Sequence, residues 1–463
     1  MLKPYPKYKE TPALWLNSIP NHWESHKIRE LFVERSEKVS DKDYSPLSVS
    51  KAGVVPQIAT VAKTNNGDNR KLVIKGDFVI NSRSDRRGSS GISNYDGSVS
   101  LINIVLKPRS FVNGRYMHYL LKSHYFIEEF YRNGRGIVAD LWTTRYTEMK
   151  SIYLPVPSIE EQDQIVRFLD WKLAKINKLI QAKKKQIALL TEYRKATIDN
   201  VIMYGINPHA NRKESGVIWL GEIPSHWSVM KLKRICRINA SITSQLEKYS
   251  LEDYVVFLPM ENISSDGKID CCEKRKLKDV RNGFSSFAKN DVIVAKITPC
   301  FENGKGACLD TLETNIGFGT TELIVLRANE KVLPRYLYMI TQLQQFRIEG
   351  ANVMTGSAGQ KRVPSSFISN FELGIPSIAE QSEILEYLDN RLAKFDKLYE
   401  TLNREIELLT EYRIRLISDV VTGKVDVRDI EIPEYEGDSD ETIDGEIDDN
   451  IVLEEEGGEM EVE

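Results

Sequence analysis

Residues 157–196 have the sequence PSIEEQDQIVRFLDWKLAKINKLIQAKKKQIALLTEYRKA, and residues 376–415 repeat it as PSIAEQSEILEYLDNRLAKFDKLYETLNREIELLTEYRIR. Of these 40 positions, 20 are identical at a constant shift of 219, with no gap. A match of this extent indicates an internal duplication, which constrains the architecture before any local signal is considered.

A second repeat lies upstream of each copy, as WLNSIPNHW at residues 15–23 and WLGEIPSHW at residues 219–227, with a shift of 204. We call these two segments the anchors; the first lies within residues 12–27. The chain is therefore a tandem of two units, each with an anchor, a variable body and a shared helical segment. The second body is 15 residues longer than the first, since the two shifts differ by that amount.

The shared segment is predicted to be one long helix in each unit. Ser158 can cap the first helix while Glu161 reaches back to the cap, and Ser377 with Glu380 repeats this capping box. A glycine marks each predicted stop, at Gly205 and at residue 423. About 45 residues at ~1.5 Å each give a rod of roughly 65–70 Å.

Within the helices, apolar residues recur in alternating steps of four and three, the coiled-coil period. The predicted seam residues are Leu169, Leu173, Ile176, Ile180, Ile187, Leu190, Leu388, Leu392, Phe395, Tyr399, Leu402, Ile406 and Leu409. Two equivalent helices most simply pair with each other in antiparallel fashion; the alternative is that each packs on its own body. The pattern is interrupted at Lys183, Arg194 and Arg413, where a polar side chain either fixes the register or faces a partner subunit.

The bodies show short β-rich runs between turns, each followed by a helical run. The predicted fold class is α+β, with two mixed α/β domains, two long antiparallel coiled-coil helices and an internal pseudo-twofold repeat. The predicted boundaries are 1–155 for the first body with its anchor, 156–204 for the first helix, 205–216 for a linker, 217–374 for the second body, 375–424 for the second helix and 425–463 for an acidic disordered tail.

Charge is distributed unevenly along the 463 residues, whose formal net charge is -4. Residues 431–463 contain 16 acidic side chains and no Lys or Arg, which leaves 63 basic against 51 acidic groups in residues 1–430, a net of +12. A basic body favours nucleic acid as a partner, although it also occurs for solubility alone. The tail is either a solubilising extension, or a segment that competes with DNA for the basic surface or docks a partner.

Loops that follow matching predicted strands carry the candidate binding residues. Arginine can bond guanine through two hydrogen bonds, while hydroxyl groups suit phosphate. The candidate DNA-binding residues are Arg83, Ser84, Arg86, Arg87, Ser89, Arg132, Arg135, Thr144, Arg145, Lys296, Thr298, Asn303, Lys305, Ser357, Gln360, Lys361 and Arg362. Weaker candidates are Asn65, Asn66, Asn69, Arg70 and Lys71. The alternative is that these loops are solvated, Arg-rich surface turns.

Motifs for catalysis are missing from the sequence. GSAGQK at residues 356–361 lacks the spacing and the hydroxyl of a nucleotide-binding P-loop, and no Asp/Asn-Pro-Pro-aromatic motif of a DNA methyltransferase occurs. The six His form no metal cluster, and packing beside Trp23 and Trp227 is the expected role of His22 and His226. With no apolar run of the roughly 18–20 residues that a membrane helix needs, no apolar signal core and five cysteines, we expect a cytoplasmic protein.

The chain resembles the specificity subunit of type I restriction-modification enzymes. It has two variable bodies that alternate with two near-identical helices, and each helix opens with Pro-Ser-Ile-x-Glu-Gln. The Trp-x-x-x-Ile-Pro-x-His-Trp anchors are similar too, and the resemblance covers residues 12 to about 428. It implies a non-catalytic subunit whose two target recognition domains each read half of a split, asymmetric site on double-stranded DNA. The acidic tail departs from the family pattern.

The resemblance further implies that the helices are spacers that set the distance between half-sites and dock two methyltransferase subunits. Those partners methylate adenine with S-adenosylmethionine, and added translocase/nuclease subunits use ATP and Mg²⁺; none of these cofactors is expected on this chain. Two other readings stay open: a self-sufficient methyltransferase or nuclease with duplicated DNA-binding domains, and a coiled-coil scaffold that binds no DNA.

Overall fold

A computed structural model describes residues 2–57, 67–136, 142–357 and 359–433. The described chain divides into two compact units, the first formed by residues up to 184 together with those from 403 onward, and the second by residues 185–402. Each unit therefore contains one body, the first part of the helix that follows it and the last part of the other helix.

The first unit contains one body and the start of its long helix. Its elements are β1 Tyr8–Glu10, β2 Ser18–Pro20, β3 Glu24–Lys27, α1 Ile28–Leu31, β4 Phe32–Glu34, β5 Lys38–Val39, β6 Leu47–Ser50, β7 Gly53–Pro56, β8 Arg70–Val73, β9 Phe78–Asn81, β10 Ser90–Ile92, β11 Gly97–Val99, β12 Asn103–Pro108, α2 Gly114–Leu121, α3 His124–Arg132, α4 Tyr146–Met149, β13 Tyr153–Val156 and α5 Ile159–Tyr204, whose later residues belong to the second unit.

The second unit keeps this order at both ends of its body and differs in the middle. They are β14 Arg212–Glu214, β15 Glu222–Pro224, β16 Ser228–Lys231, β17 Cys236–Ile238, α6 Thr243–Leu246, β18 Tyr254–Leu258, β19 Lys274–Lys276, α7 Leu277–Val280, β20 Ser285–Ala288, β21 Val292–Ala295, β22 Gly306–Cys308, β23 Ile316–Gly319, β24 Leu323–Ala328, α8 Pro334–Gln342, α9 Gln344–Asn352, α10 Ser365–Asn370, β25 Glu372–Ile375 and α11 Ile378–Val421, whose later residues belong to the first unit.

One antiparallel sheet has the same strand order in both bodies. It runs β10-β9-β12-β4 in the first unit and β22-β21-β24-β17 in the second. The central strands are apolar because both of their faces are covered; Phe78–Asn81 and Val292–Ala295 are buried throughout. A second sheet differs between the bodies, since β11-β8-β5 is replaced by the larger β19-β18-β23-β20, in which β18 and β23 are parallel. The predicted α+β class is confirmed.

The anchors hold each body to the first turn of its helix. Trp23 and Trp227 are fully buried. Trp23 Nε1 donates to Glu161 Oε1 at 3.0 Å, and Trp227 Nε1 donates to Glu380 Oε1 at the same distance. His22 and His226 contact the second oxygen of the same carboxylates, at 2.8 and 2.9 Å. The two histidines therefore do more than pack beside the indoles.

These contacts correct the predicted capping boxes. Ser158 Oγ accepts from the backbone N–H of Glu161 at 3.4 Å, and Ser377 Oγ accepts from that of Glu380 at 3.3 Å, as a cap should. The carboxylates, however, bond the anchor side chains instead of reaching back to the cap. A buried indole N–H needs an acceptor, and the carboxylate of the first helical turn supplies it.

The glutamine of each Pro-Ser-Ile-x-Glu-Gln motif fixes a second loop. Gln162 Oε1 accepts from the N–H of Asn113, just before α2, at 2.9 Å, and Gln381 Oε1 accepts from the N–H of Leu333, just before α8, at 2.8 Å. Each amide nitrogen also donates to the motif proline, Pro157 or Pro376. Every polar residue of the motif thus has a structural partner within its own unit.

The long helices pair in antiparallel fashion, as predicted. In the first unit, Asn177 contacts Arg413 at 3.0 Å and Lys183 contacts Glu405 at 2.6 Å, so the residue numbers rise on one helix as they fall on the other. In the second unit, Arg194 lies 3.8 Å from Asp396. The three polar interruptions of the pattern therefore face the neighbouring helix, where they favour a single register.

Burial along the helices follows the predicted seam with one clear departure. The buried positions are Leu169, Leu173, Ile176, Ile180, Leu388, Leu392, Phe395 and Leu402, and the half-buried ones are Ile187, Leu190, Ile406 and Leu409. Tyr399 is 46% exposed, so it lies outside the seam. Its polar hydroxyl group allows the ring to remain in contact with water.

Both helices end at a glycine in the left-handed region, Gly205 at φ 74° and Gly423 at φ 77°. A Cβ on Gly423 would collide with the ring of Pro20 and approach Trp23 Cζ3 to 3.2 Å, and one on Gly205 would lie 3.3 Å from Trp227 Cζ2. Glycine therefore serves twice, because it adopts the positive φ and allows the helix end to approach the anchor.

Residues 425–433 pack on the first unit, which corrects the predicted start of the disordered tail. Val427 is fully buried, and Gln164 Nε2 donates to the carbonyl groups of Val427 and Ile430 at 3.1 and 2.9 Å. Asp426 N–H also donates to the carbonyl of Lys3 at 2.8 Å, which joins the two ends of the described chain. The apolar residues in this segment explain its order; residues 434–463 lie outside the described residues.

Glu161→Ala is expected to lower the free energy of unfolding by roughly 3 kcal/mol, because it leaves the buried Trp23 N–H without an acceptor. Urea denaturation followed by tryptophan fluorescence measures the change. Glu192→Ala, on an exposed turn of the same helix, serves as the control and should change stability by less than about 0.5 kcal/mol. Equal effects of the two substitutions would show that the anchor contact does not stabilise the fold.

Candidate nucleic-acid interface

The Arg-rich loops of the first body converge on one short ladder. Arg83, just after β9, bridges Thr143, and Thr143 in turn bridges Arg135. Ser84 N–H donates to the carbonyl of Trp142 at 2.9 Å, and Arg135 N–H donates to that of Thr143 at 3.1 Å. We call this arrangement the loop ladder. Three segments that are distant in sequence thus present side chains from one place.

The second body contains the same loop ladder after the matching strand β21. Ile297 bridges Arg362, and Arg362 bridges Thr355. Thr298 N–H donates to the carbonyl of Lys361 at 3.0 Å, just as Ser84 does to that of Trp142. The backbone hydrogen bonds therefore establish which loop positions correspond, although the loop sequences show no similarity.

Exposed cations cluster on the first loop ladder. The side chain of Arg135 is 84% exposed and lies 3.8 Å from Glu148, while Arg83 is about half exposed and bonds Asp85 at 3.1 Å. Arg145 is also exposed. These side chains are extended towards solvent, and ion pairs of this exposure are weak, so a phosphate or a base edge can replace the intramolecular partner at little cost.

Two further predicted residues lie in the loop between β9 and β10. Arg87 is half exposed, pairs with Glu128 at 2.9 Å and stacks over the ring of Tyr131 at 5.4 Å from its centroid. Arg86 is about one-third exposed and lies 3.9 Å from Asp85, in the short 3₁₀ turn Ser84–Arg86. Contacts within the protein therefore hold both side chains in place.

Two predicted contact residues are buried, and we remove them from the candidate set. Ser89 and Thr144 have no exposed surface. Thr144 Oγ1 donates to the carbonyl of Phe130 at 3.0 Å, and its N–H donates to the carbonyl of Ser82 at 2.9 Å. Thr144 therefore attaches the ladder to α3 from beneath, and its side chain cannot reach a duplex.

Three other predicted residues are engaged in strong contacts within the protein. Arg132 bonds both carboxylate oxygens of Glu129, at 2.7 and 2.8 Å. Arg362 bonds both oxygens of Glu322, at 2.8 and 2.9 Å, and this hydrogen-bonded partner lowers the pKa of Glu322.

The third is Lys305, whose Nζ donates to the carbonyl of Met260 at 3.0 Å. Bidentate pairs and main-chain contacts of this kind shape the loops. The side chains of Arg132 and Arg362 are still 56% and 43% exposed, so their contact with DNA stays a prediction.

The remaining candidates of the second body lie on or beside its ladder. Asn303, Ser357, Gln360 and Lys361 are exposed, and Lys296 is half-buried. Thr298 Oγ1 accepts from the N–H of Lys361 at 3.0 Å, so it also stabilises the turn. This exposed set is less cationic than that of the first body.

The weaker candidates separate into two groups. Asn65 and Asn66 lie outside the described residues. Arg70 is buried, donates to the hydroxyl and the carbonyl of Ser98, and has its pKa lowered by burial. Lys71 donates to the carbonyl of Asn103 at 2.7 Å. The two cations are therefore structural parts of the first body.

Sequence reasoning missed Trp142. Its side chain is 36% exposed at the ladder position that Lys361 occupies in the second body. An exposed indole beside cationic side chains can stack on a base or a sugar. The only sequence signal was its proximity to the Thr-Thr-Arg run, which does not reveal the pairing with Ser84.

Across the described ranges, no group of three or more His, Cys, Asp or Glu side chains could hold a metal ion. None of the helices described is both long and apolar enough to cross a membrane.

Comparison with known proteins gives a family match over most of the chain. The profile described as "Type I restriction modification DNA specificity domain" matches residues 20–189 and 224–408. The EcoAI type I restriction enzyme specificity subunit of Escherichia coli is 39% identical over 180 residues, 38% of this chain and 30% of that protein. The match thus spans less than a third of that relative.

Two further matches extend over nearly the whole chain. The putative MjaX type I restriction enzyme specificity subunit of Methanocaldococcus jannaschii is 22% identical over 447 residues, 89% of this chain and 96% of that protein. A solved structure described as "Structural basis underlying complex assembly and conformational transition of the type I R-M system" has a TM-score of 0.56 at 13% identity, over 88% of this chain and 99% of that one. The structural likeness shows a shared fold.

Thr144→Val is expected to lower the free energy of unfolding by about 1–2 kcal/mol, because the buried carbonyl of Phe130 loses its hydroxyl donor while the shape of the side chain is kept. Thermal or urea unfolding measures it. Thr147→Val, at an exposed position of α4, is the matched control and should be nearly neutral. A neutral Thr144→Val would contradict the structural role assigned to this residue.

Proposed function

This chain belongs to the type I restriction modification DNA specificity family, and from that premise we propose that it is the DNA-reading subunit of a type I restriction-modification complex. Each body reads one half of a bipartite, asymmetric site on double-stranded DNA. The observation that carries the proposal is the loop ladder, which recurs at the same place in both bodies while its exposed side chains differ.

The ladder suits DNA because its backbone is rigid and its exposed side chains are cationic or polar. Arg83, Arg135 and Arg145 provide charge for phosphates and donor pairs for guanine edges. Residues that follow a sheet strand and are locked by backbone hydrogen bonds are positioned accurately, which sequence discrimination requires. Phosphate contacts then supply affinity, and a few base contacts of about 1–3 kcal/mol each supply selectivity.

Differences between the two ladders account for an asymmetric site. The first ladder has Arg83 and Trp142 where the second has Ile297 and Lys361. Two ladders with the same backbone hydrogen bonds thus present a large guanidinium and an indole in one case, and an aliphatic group and an ammonium in the other. They are expected to select different bases.

The antiparallel helices serve as the spacer between the half-sites and as the docking surface for two methyltransferase subunits. Those subunits hold S-adenosylmethionine and perform adenine methylation, while restriction subunits with ATP and Mg²⁺ perform translocation and cleavage. This chain supplies the DNA sequence specificity of the complex. The mutual contacts of the helices, through Lys183 with Glu405 and Arg194 with Asp396, support a spacer of defined register.

Arg135→Ala is expected to weaken DNA binding by the assembled complex about 3–10-fold and to reduce the slope of log affinity against log salt by about one, because one phosphate contact is lost. Fluorescence anisotropy over a salt series measures both quantities. Lys213→Ala removes the same charge from an exposed position on β14, away from the paired helices, and should change neither. If both substitutions act alike, the effect reports overall charge and the first ladder is not a contact surface.

Replacing residues 24–150 with the corresponding body of another family member is expected to change one half of the recognised site and leave the other half unchanged. The sequence context of methylated adenines, in cells that carry the chimera and its partner subunits, reads out both halves. A change in both halves would contradict separate reading by the two bodies. Methyl transfer or DNA cleavage by the purified chain alone would contradict the assignment of the chemistry to partner subunits.

A further inference from the structure

The two copies of the repeat differ at the first turn of their long helices. In the first unit, the carboxylate of Glu161 is enclosed, and its side chain is only 6% exposed. In the second unit, the equivalent Glu380 is 21% exposed and lines an open pocket of about 410 Å³. Since the helix, the tryptophan and the histidine are the same in both, the difference comes from what covers them.

Tyr5 covers the carboxylate in the first unit. Its hydroxyl donates to Glu161 Oε1 at 2.7 Å, and its ring lies 5.6 Å from that of His22 and 5.7 Å from that of Trp23. The guanidinium of Arg428 stacks on the same ring at 5.0 Å. Tyr5 is buried, and burial, together with the bond to Glu161, raises the pKa of its phenol. The first site is thus filled by Tyr5 from residues 2–7, with a cation, Arg428, beside it from residues 425–433.

The second unit has the same receptor groups without this cover. Glu380 Oε1 accepts from Trp227 at 3.0 Å, whereas Glu161 Oε1 accepts from both an indole and a phenol. The residue that corresponds to Tyr5 at the anchor shift is His209, which is exposed. The space is lined instead by Tyr204, Ala210, His226, Ala379, Glu380 and Glu383.

A second carboxylate sets the charge of this pocket. Glu383 occupies the repeat position of Gln164, whose amide donates to the carbonyls of Val427 and Ile430, in the segment that also carries Arg428. A carboxylate only accepts hydrogen bonds. The second site therefore requires a ligand with donor groups, at the position where the Gln164 amide of the first site is itself the donor. Within the described parts of the chain, the Glu383 carboxylate has no hydrogen-bond or ion-pair partner, and it is exposed.

We propose that the pocket of the second unit binds an extended segment of a partner protein that inserts a tyrosine against Glu380 and places a lysine or arginine beside Glu383. The chain itself shows the geometry, because Tyr5 makes the corresponding contact with Glu161. The site lies at the start of α11, apart from the loop ladder. The inference goes beyond DNA reading and does not depend on it.

The direct test uses the peptide LKPYPK, with the sequence of residues 2–7, because this segment fills the first site. Saturation-transfer difference NMR with the full-length chain measures its binding. Saturable binding through the tyrosine ring is expected, and the peptide with phenylalanine in place of Tyr5 should bind about tenfold more weakly, since it lacks the hydroxyl donor to a charged acceptor.

Matched variants assign the binding to this pocket. Ala379→Trp fills the pocket and should abolish binding, whereas Glu160→Trp, at the same repeat position in the first unit, should leave it unchanged because Tyr5 already fills that site. Glu383→Lys should weaken binding of the cationic peptide at least fivefold, and Glu386→Lys, one turn along but outside the lining, should weaken it less than twofold.

The proposal is overturned if the peptide shows no saturable binding, if Ala379→Trp binds it as the unchanged chain does, or if the two lysine variants act alike. Circular dichroism and melting temperature verify that each variant is folded. DNA affinity of the complex is expected to be the same for Ala379→Trp and the unchanged chain, so the outcome for this pocket is distinguishable from the outcome for DNA reading.

Discussion

The hydrogen bond between an anchor tryptophan and a helix carboxylate, Trp23 with Glu161 and Trp227 with Glu380, is the interaction on which the rest of the structure depends. It connects the buried indole of the anchor to the first turn of the long helix, and so holds the edge of the body against that helix. Removing the carboxylate leaves the buried indole N–H without its acceptor, which is costly. The same side chains therefore stand in both copies of the repeat.

The exposed positions of the loops are less constrained. The ladder is held largely by backbone hydrogen bonds, with side chains such as Thr144 as added supports, so Arg83 and Ile297 occupy equivalent places. Each body can therefore change the side chains that it exposes while its scaffold is kept. It also explains why the two bodies share a plan and little loop sequence.

The basic side chains also fall into two groups, those paired within the fold and those exposed to solvent. Some basic side chains of residues 1–430 form ion pairs within the fold, as Arg132 does with Glu129 and Arg362 with Glu322. Other cations, Arg135 above all, extend into solvent. The excess of positive charge in the sequence thus indicates a polyanionic partner, but its location on the surface depends on which guanidinium groups find a carboxylate inside the protein.

The sequence by itself determined the duplication, the paired helices and their glycine ends, because repeats, heptads and caps are local or periodic signals. It also indicated the loops after the matching strands. Only the tertiary structure decided that Thr144 is buried, that Trp142 aligns with Lys361, and that Glu161 bonds an anchor instead of its own helix. Those outcomes depend on which distant segments meet, and a buried donor takes whichever acceptor the packing brings within reach.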